Sequence, residues 1–312
     1  MILLHDASGF RDPLPKRDTD AMTDSTDREQ LTDPAEPGVR EELQKDTTVG
    51  STSLTHWYTP WGRALARAMR LLGTRLGPYT ALIITLLVGA AIAFALSAAA
   101  VAVYDAVTDA DGVSGIDQPL LDFALTLRNP VADVVVTGFT DIAGTIGMPV
   151  IAVAAILILA IKRRSWTPVV LIVAAGGGSL LMTIAGKDLI QRQRPPLTDA
   201  VPPYEYSPSF PSGHTLNAVA VIGIIAYLLV LRRVSTGGRV AIITGAATFA
   251  LLVGLSRVYL GHHWFTDVLV GWILGALWLS LIITAHRLYL TVQEHRHVAL
   301  SPPHDAASAG SR

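Results

Sequence analysis

The 312-residue chain has no cysteine, which excludes disulfides, thiolate metal sites and cysteine nucleophiles. Charge is scarce as well: 16% of residues are Asp, Glu, Lys or Arg, against roughly 25% in soluble domains. The formal net charge is only -1. A nucleic-acid partner is thereby excluded, because phosphate backbones call for a basic stripe that displaces counterions. The N-terminus lacks the pattern of a signal peptide, since MILLHDASGFRDPLPKRD is apolar for a few residues before charges begin. No internal repeat and no glycine-rich cofactor loop stand out. Apolar residues are what the chain has in abundance, at 51% with a mean hydropathy of +0.44. That is the composition of a membrane protein.

Residues 1–55 are rich in Asp, Glu, Thr, Pro and Lys without apolar periodicity, which predicts a disordered cytoplasmic tail. Nothing before Met22 looks structural, so Met22 is an alternative start to Met1. Residues 291–312 read as a second cytoplasmic tail. Residues 56–290 between them hold six apolar segments, and a bilayer core of about 30 Å takes roughly 20 helical residues to cross. They lie near Tyr79–Val103, Met148–Ile161, Trp166–Gly186, Thr215–Leu231, Val240–Leu255 and Trp264–Ala285. The second is short and is expected to begin earlier, between Asp133 and Gly147. Ahead of it, Leu120, Leu121, Phe123, Ala124 and Leu127 recur at helical spacing, which predicts an amphipathic helix at the interface. The expected fold is therefore all-α: a polytopic bundle of six transmembrane helices, with an extracytoplasmic interfacial helix and a disordered N-terminal tail.

Short loops rich in Arg and Lys stay in the cytoplasm. Arg63, Arg67, Arg70 and Arg75 precede the first span; Lys162, Arg163 and Arg164 follow the second; Arg232, Arg233 and Arg239 separate the fourth and fifth; Arg287 and Arg296 follow the sixth. All fall on one side, which places both termini in the cytoplasm of an inner-membrane protein. Two outer loops break the rule with Lys187, Arg192, Arg194 and Arg257. Broken local rules are where function concentrates.

Those loops read KDLIQRQRPPL from Lys187, SFPSGHTLNA from Ser209 and SRVYLGHHWFTD from Ser256, each at the outer end of a span. Bundling the helices gathers Lys187, Arg194 and Arg257 with His214 and His263. Cations so close repel one another unless an anion sits among them, and a phosphoryl group matches guanidinium geometry. Ser212 offers a helix cap or hydroxyl donor, and Gly213 lets backbone approach an anion at a helix N-terminus. The last span is expected to start at His263 or Trp264, and Asp267 follows His263 by four residues, which puts both on one helical face with His262 about 100° away. An aspartate on one ring nitrogen leaves the other free for attack.

Lys187 with Arg194-Pro195, Pro211-Ser212-Gly213-His214, and Ser256-Arg257 with His263 and Asp267 resemble, in order and spacing, the three-part signature of the type 2 phosphatidic acid phosphatase (PAP2) and vanadium haloperoxidase superfamily. The resemblance covers roughly Tyr79 to Ala285. It implies a phosphatase without metal or other cofactor, in which His263 is transiently phosphorylated and His214 protonates the leaving group. Asp267 would orient His263, while Lys187, Arg194, Ser212, Gly213 and Arg257 would hold the phosphoryl oxygens. Phe265 and His262 depart from residues common in the family and touch no catalytic position.

Singly, each feature has a plainer explanation: Lys187 or Arg257 as a snorkelling helix-end side chain, PSGH as a cap and turn, His262 as an exposed loop residue, Gly176–Gly178 as close helix packing. Together those explanations leave three converging cationic motifs unaccounted for. The partners expected are the bilayer and a lipid phosphate or diphosphate: undecaprenyl diphosphate, phosphatidate or phosphatidylglycerophosphate, with no choice among them from the residues. A vanadate-dependent haloperoxidase and an anion transporter are the alternatives; a transporter places its site near the midplane, where no charge is visible. Oligomeric state is not legible in the sequence.

Overall fold

The computed structural model describes residues 46–49, 52–76, 113–233 and 235–300, with isolated residues between 80 and 95. Their helices are α1 (Pro60–Leu76), α2 (Asp117–Thr126), α3 (Pro130–Asp141), α4 (Gly147–Arg163), α5 (Thr167–Ile190), α6 (Gly213–Val230), α7 (Thr236–Tyr259) and α8 (Phe265–Leu300). Two-residue strands β1 (Thr48–Val49) and β2 (Thr52–Ser53) pair antiparallel. Local chemistry sets several starts. Asn129 caps α3 by accepting from the Ala132 amide at 2.9 Å, with Pro130 at the first position, and Ser235 caps α7 through the Gly238 amide.

Four helices, α5 to α8, are long and apolar enough to cross a bilayer. Helix α4 has 17 residues, a rise of about 25 Å. Leu171, Ile172, Leu216, Ile224, Leu228, Val253 and Ile282 are buried between the helices. Val150, Leu157, Leu180, Ile243 and Leu277 point outward, an apolar exterior that suits lipid. Helix α8 packs against α5, α6, α7 and α1. It meets α6 closely because Gly271 and Gly275 carry no side chain: a Cβ there would lie 3.0 Å from Thr215 and 2.7 Å from Val219. Gly178, in the run expected to pack closely, faces Trp278 across a gap that leaves no room for a Cβ.

Several boundaries differ from expectation. The segment expected near Tyr79–Val103 lies largely outside the described residues. The second span does not extend back as one helix. Residues 142–146 turn between α3 and α4, where the Ala143 and Gly144 amides bond back to Thr140 and Asp141 and Gly147 sits against the Asp141 carbonyl too closely for any Cβ. Helix α6 contains a π turn at Ala218–Ile222. Residues 46–49 and 52–55, expected within the tail, carry the β1–β2 pair, and Asp46 ion-pairs with Arg163 and Arg232. Helix α8 runs beyond residue 290, with Leu290, Thr291 and Val292 buried, because α1 packs on it through Ala66 and Met69. Helix α2 forms where the amphipathic helix was expected, but Leu121 and Ala124 turn into the protein while Phe123 and Leu127 stay exposed.

Candidate active site

The C-terminal ends of α5 and α7 and the N-terminal ends of α6 and α8 come together at one end of the bundle. Lys162–Arg164, Arg232, Arg233 and Arg239 lie at the other. Between the ends, near the α3–α4 turn, is a cavity of about 690 Å³. Of the eight residues singled out from sequence, Lys187, Gly213, His214, Arg257 and His263 line it. Arg194 stands beside His263, and Asp267 and Ser212 are buried behind the lining. Ser212 makes no side-chain cap to α6; its hydroxyl accepts from Thr215 Oγ1 at 2.9 Å, and its amide donates to the Asp267 carbonyl at 3.2 Å. Gly186 allows the PSGH loop to approach α5, since a Cβ there would lie 2.4 Å from Pro211 Cδ.

His263 is 1% exposed. Its Nε2 lies 3.2 Å from Arg194 Nη1, and its Nδ1 lies 3.5 Å from Asp267 Oδ2. A guanidinium can only donate, so Nε2 is the acceptor in this pair and the ring proton belongs on Nδ1, facing Asp267. At 3.5 Å the Asp267 contact is electrostatic and longer than a hydrogen bond. Burial, then the Arg194 and Arg257 charges, hold the imidazole well below its ordinary range. His263 and Asp267 do not share the helical face expected of them. Helix α8 starts at Phe265, so His263 precedes it, in a turn where both its amide and that of His262 donate to the Arg257 carbonyl. Gly261 makes that turn possible with φ +68. His262 is not an exposed loop residue: it is buried, lines the same cavity, and donates through Nε2 to the Val201 carbonyl at 2.7 Å.

Residues not singled out for roles complete the site. Glu205 accepts from both cations, Arg194 at 2.7 Å and Arg257. Burial opposes its ionisation, yet Arg257, with Arg194 beside it, pulls the carboxyl down to about 2. A carboxylate thus bridges the two guanidiniums, the oxyanion pairing that arginine forks favour. Arg257 Nε is buried without a partner among the described residues. Behind His263, Asp267 Oδ2 accepts from Ser209 Oγ at 2.7 Å and the Trp264 amide at 3.0 Å, and Oδ1 pairs with Arg192. Lys187 Nζ donates to Ser207 Oγ at 2.9 Å.

Apolar helices long enough to cross a bilayer, with cations and histidines around a cavity at one end, define a class of membrane proteins with a polar site at the end of a helical bundle. Residues 167–289 match the family model described as PAP2 superfamily. Phosphatidylglycerophosphatase B of Bacillus subtilis (strain 168) is 35% identical over 175 residues, spanning 55% of this chain and 84% of that protein. Undecaprenyl-diphosphatase of Sulfolobus acidocaldarius is 40% identical over 80 residues, 26% of this chain and 33% of that protein. The crystal structure of a transmembrane PAP2-type phosphatidylglycerolphosphate phosphatase from Bacillus subtilis is similar with TM-score 0.52 and 27% identity, over 73% of this chain and 98% of that one. The chain belongs to the PAP2 superfamily. It is a membrane phosphatase, a hydrolase of phosphoric esters.

Proposed function

We propose that the protein is a metal-independent lipid phosphatase of the inner membrane, working from the extracytoplasmic leaflet through a phosphohistidine. The observation that carries this reading is the pairing at His263, with Nε2 turned to Arg194 and Nδ1 to the buried Asp267 carboxylate. The substrate phosphate displaces Glu205 and takes up Arg194, Arg257 and Lys187, which frees the Nε2 lone pair. That nitrogen attacks phosphorus and the P–O bond to the lipid breaks. The negative charge of the bound phosphate favours the protonated imidazolium of His214, on the cavity wall, which gives that proton to the leaving oxygen. His214 then takes a proton from water as the water attacks phosphorus and the P–N bond breaks, releasing inorganic phosphate. The cations stabilise the charge that builds on the equatorial oxygens, and Asp267 stabilises the imidazolium. Ser212 and Gly213 support the helix end that faces the phosphate.

The cavity supports a lipid substrate, because cationic groups line one part of it while Leu180 and Ile146, both strongly exposed, line another. A headgroup fits the first and the start of a tail the second. Phosphatidylglycerophosphate comes first among the candidates, since the relative named for it is matched over most of its length. Undecaprenyl diphosphate and phosphatidate follow. Residues 1–55 and 291–312 are taken as cytoplasmic ends flanking a six-span phosphatase domain, with the basic clusters inside and the site outside.

Phosphate release from detergent-solubilised phosphatidylglycerophosphate, with and without EDTA, tests the reading. Release should survive EDTA and be blocked by vanadate, which mimics the pentacoordinate state. Loss to EDTA with specific recovery on magnesium would point to metal-assisted hydrolysis instead. Vanadate-dependent halide oxidation, or anion binding without release, would favour the alternatives.

A further inference from the structure

We infer that Asp117 and Arg192 are positioning residues of this hydrolase: from α2 and the α5–α6 loop they clamp Asp267, and through it the His263 ring, in line with the cavity. The inference rests on His263 as nucleophile. Asp117 is 4% exposed although it lies at the start of a short helix in an outer segment. Its Oδ1 accepts from the Thr266 amide at 2.8 Å, and its Oδ2 accepts from Thr266 Oγ1 and Arg192 Nη2, both at 2.7 Å. It thereby serves as a cap for α8, supplied by a residue 149 positions away. Arg192 spends its other end on Asp267 Oδ1 and on Thr266 Oγ1 at 2.7 Å, and lies over the Trp264 ring at 5.7 Å. Two buried carboxylates and one guanidinium are linked around the first turn of α8. With Oδ1 paired to Arg192 and Oδ2 held by Ser209 Oγ and the Trp264 amide, the Asp267 carboxylate presents Oδ2 towards Nδ1.

A cap alone and a positioning clamp make different demands. Asp117→Asn keeps an oxygen for the Thr266 amide but weakens the hold on Arg192. A clamp acting through Asp267 loses its effect once Asp267 is already an amide, whereas an unrelated stabilising role adds its loss independently. The experiment measures kcat, KM and vanadate inhibition for Asp117→Asn, Arg192→Gln and Arg192→Lys, each alone and combined with Asp267→Asn. Asp117→Asn and Arg192→Gln should each lower kcat by about tenfold and weaken vanadate inhibition in step with it, with KM within about twofold, and Arg192→Lys should recover part of the loss. In the Asp267→Asn background each should cost less than about twofold. Multiplicative losses in that background would overturn the inference, as would a raised KM with kcat intact. Should Asp117→Asn fail to accumulate, the Arg192 pair completes the same cycle. The cycle reads coupling to Asp267 whatever the nucleophile; a phosphoenzyme that survives His263→Ala would instead reject the underlying reading.

Discussion

At His263, burial and the neighbouring Arg194 and Arg257 charges all favour the neutral ring that attack requires. A lowered folded value means that the neutral form persists below pH 6.5. Once the substrate's own ionisation is divided out, kcat/KM should therefore show no acid-side fall between pH 7.5 and about 5.5; a fall centred near 6.5 would mean an ordinary, unperturbed imidazole. Glu205 stays ionised across that range and, in the proposed binding mode, competes with substrate for the same guanidiniums. Glu205→Gln should then lower KM and tighten vanadate inhibition by about threefold to tenfold, and a rise in KM would show that the carboxylate positions Arg194 and Arg257 for the substrate. The His214 role predicts that His214→Ala slows lipid phosphates far more than an aryl phosphate with an acidic phenol, within the ~10² to 10⁴-fold of general acids. Equal losses would remove it. Lys187, Arg194, Arg257, His214, His263 and Asp267 were legible because charged residues at the ends of apolar runs at fixed spacings need a reason. Glu205, Ser209 and Asp117 are ordinary residues in aperiodic loops; only folding brings Asp117 to Arg192, 75 positions away. Arg192 did carry a signal, as a cation where the charge rule disfavours one, but its partner was invisible.

The four longest helices were readable from apolar runs alone, with their ends a few residues off except at α8, which continues past the expected Ala285 to Leu300 because α1 packs on it. Breaks were less so. The turn at residues 142–146 is set by backbone contacts at Asp141 and Gly147, and the π turn in α6 has no sequence period of its own. The start of α8 at Phe265 depends on caps from Asp267 and the distant Asp117, which is why the facing rule for His263 and Asp267 gave the right pair for a different reason. Approach between elements is just as consequential. Gly186 is the point where α5 admits the PSGH loop, so Gly186→Ala pushes Pro211, and with it Gly213 and His214, out of place. Overpacking of this kind costs about 1 to 3 kcal/mol. A lower melting temperature and a kcat reduced by tenfold or more are expected, as measured on purified protein; unchanged kcat would mean that the loop relaxes without moving the site.

Across the bundle, the cavity with Lys187, His214, Arg257 and His263 lies at one end and Lys162–Arg164, Arg232, Arg233 and Arg239 at the other. The chain's lack of cysteine makes single introduced cysteines clean reporters. Gly115, at the site end, and Gly237, at the basic end, both have open space around them. An impermeant thiol reagent should label Gly115→Cys and not Gly237→Cys in intact cells, and the reverse pattern would put the site in the cytoplasm. The proposed mechanism has one ring nitrogen pass a phosphoryl group from lipid to water, and rapid quench of the enzyme with labelled phosphatidylglycerophosphate reads that step directly. The wild type and His262→Ala should yield an acid-labile, base-stable phosphoenzyme, and His263→Ala none. A phosphoenzyme retained in His263→Ala and lost in His262→Ala would move the nucleophile by one residue and contradict the mechanism.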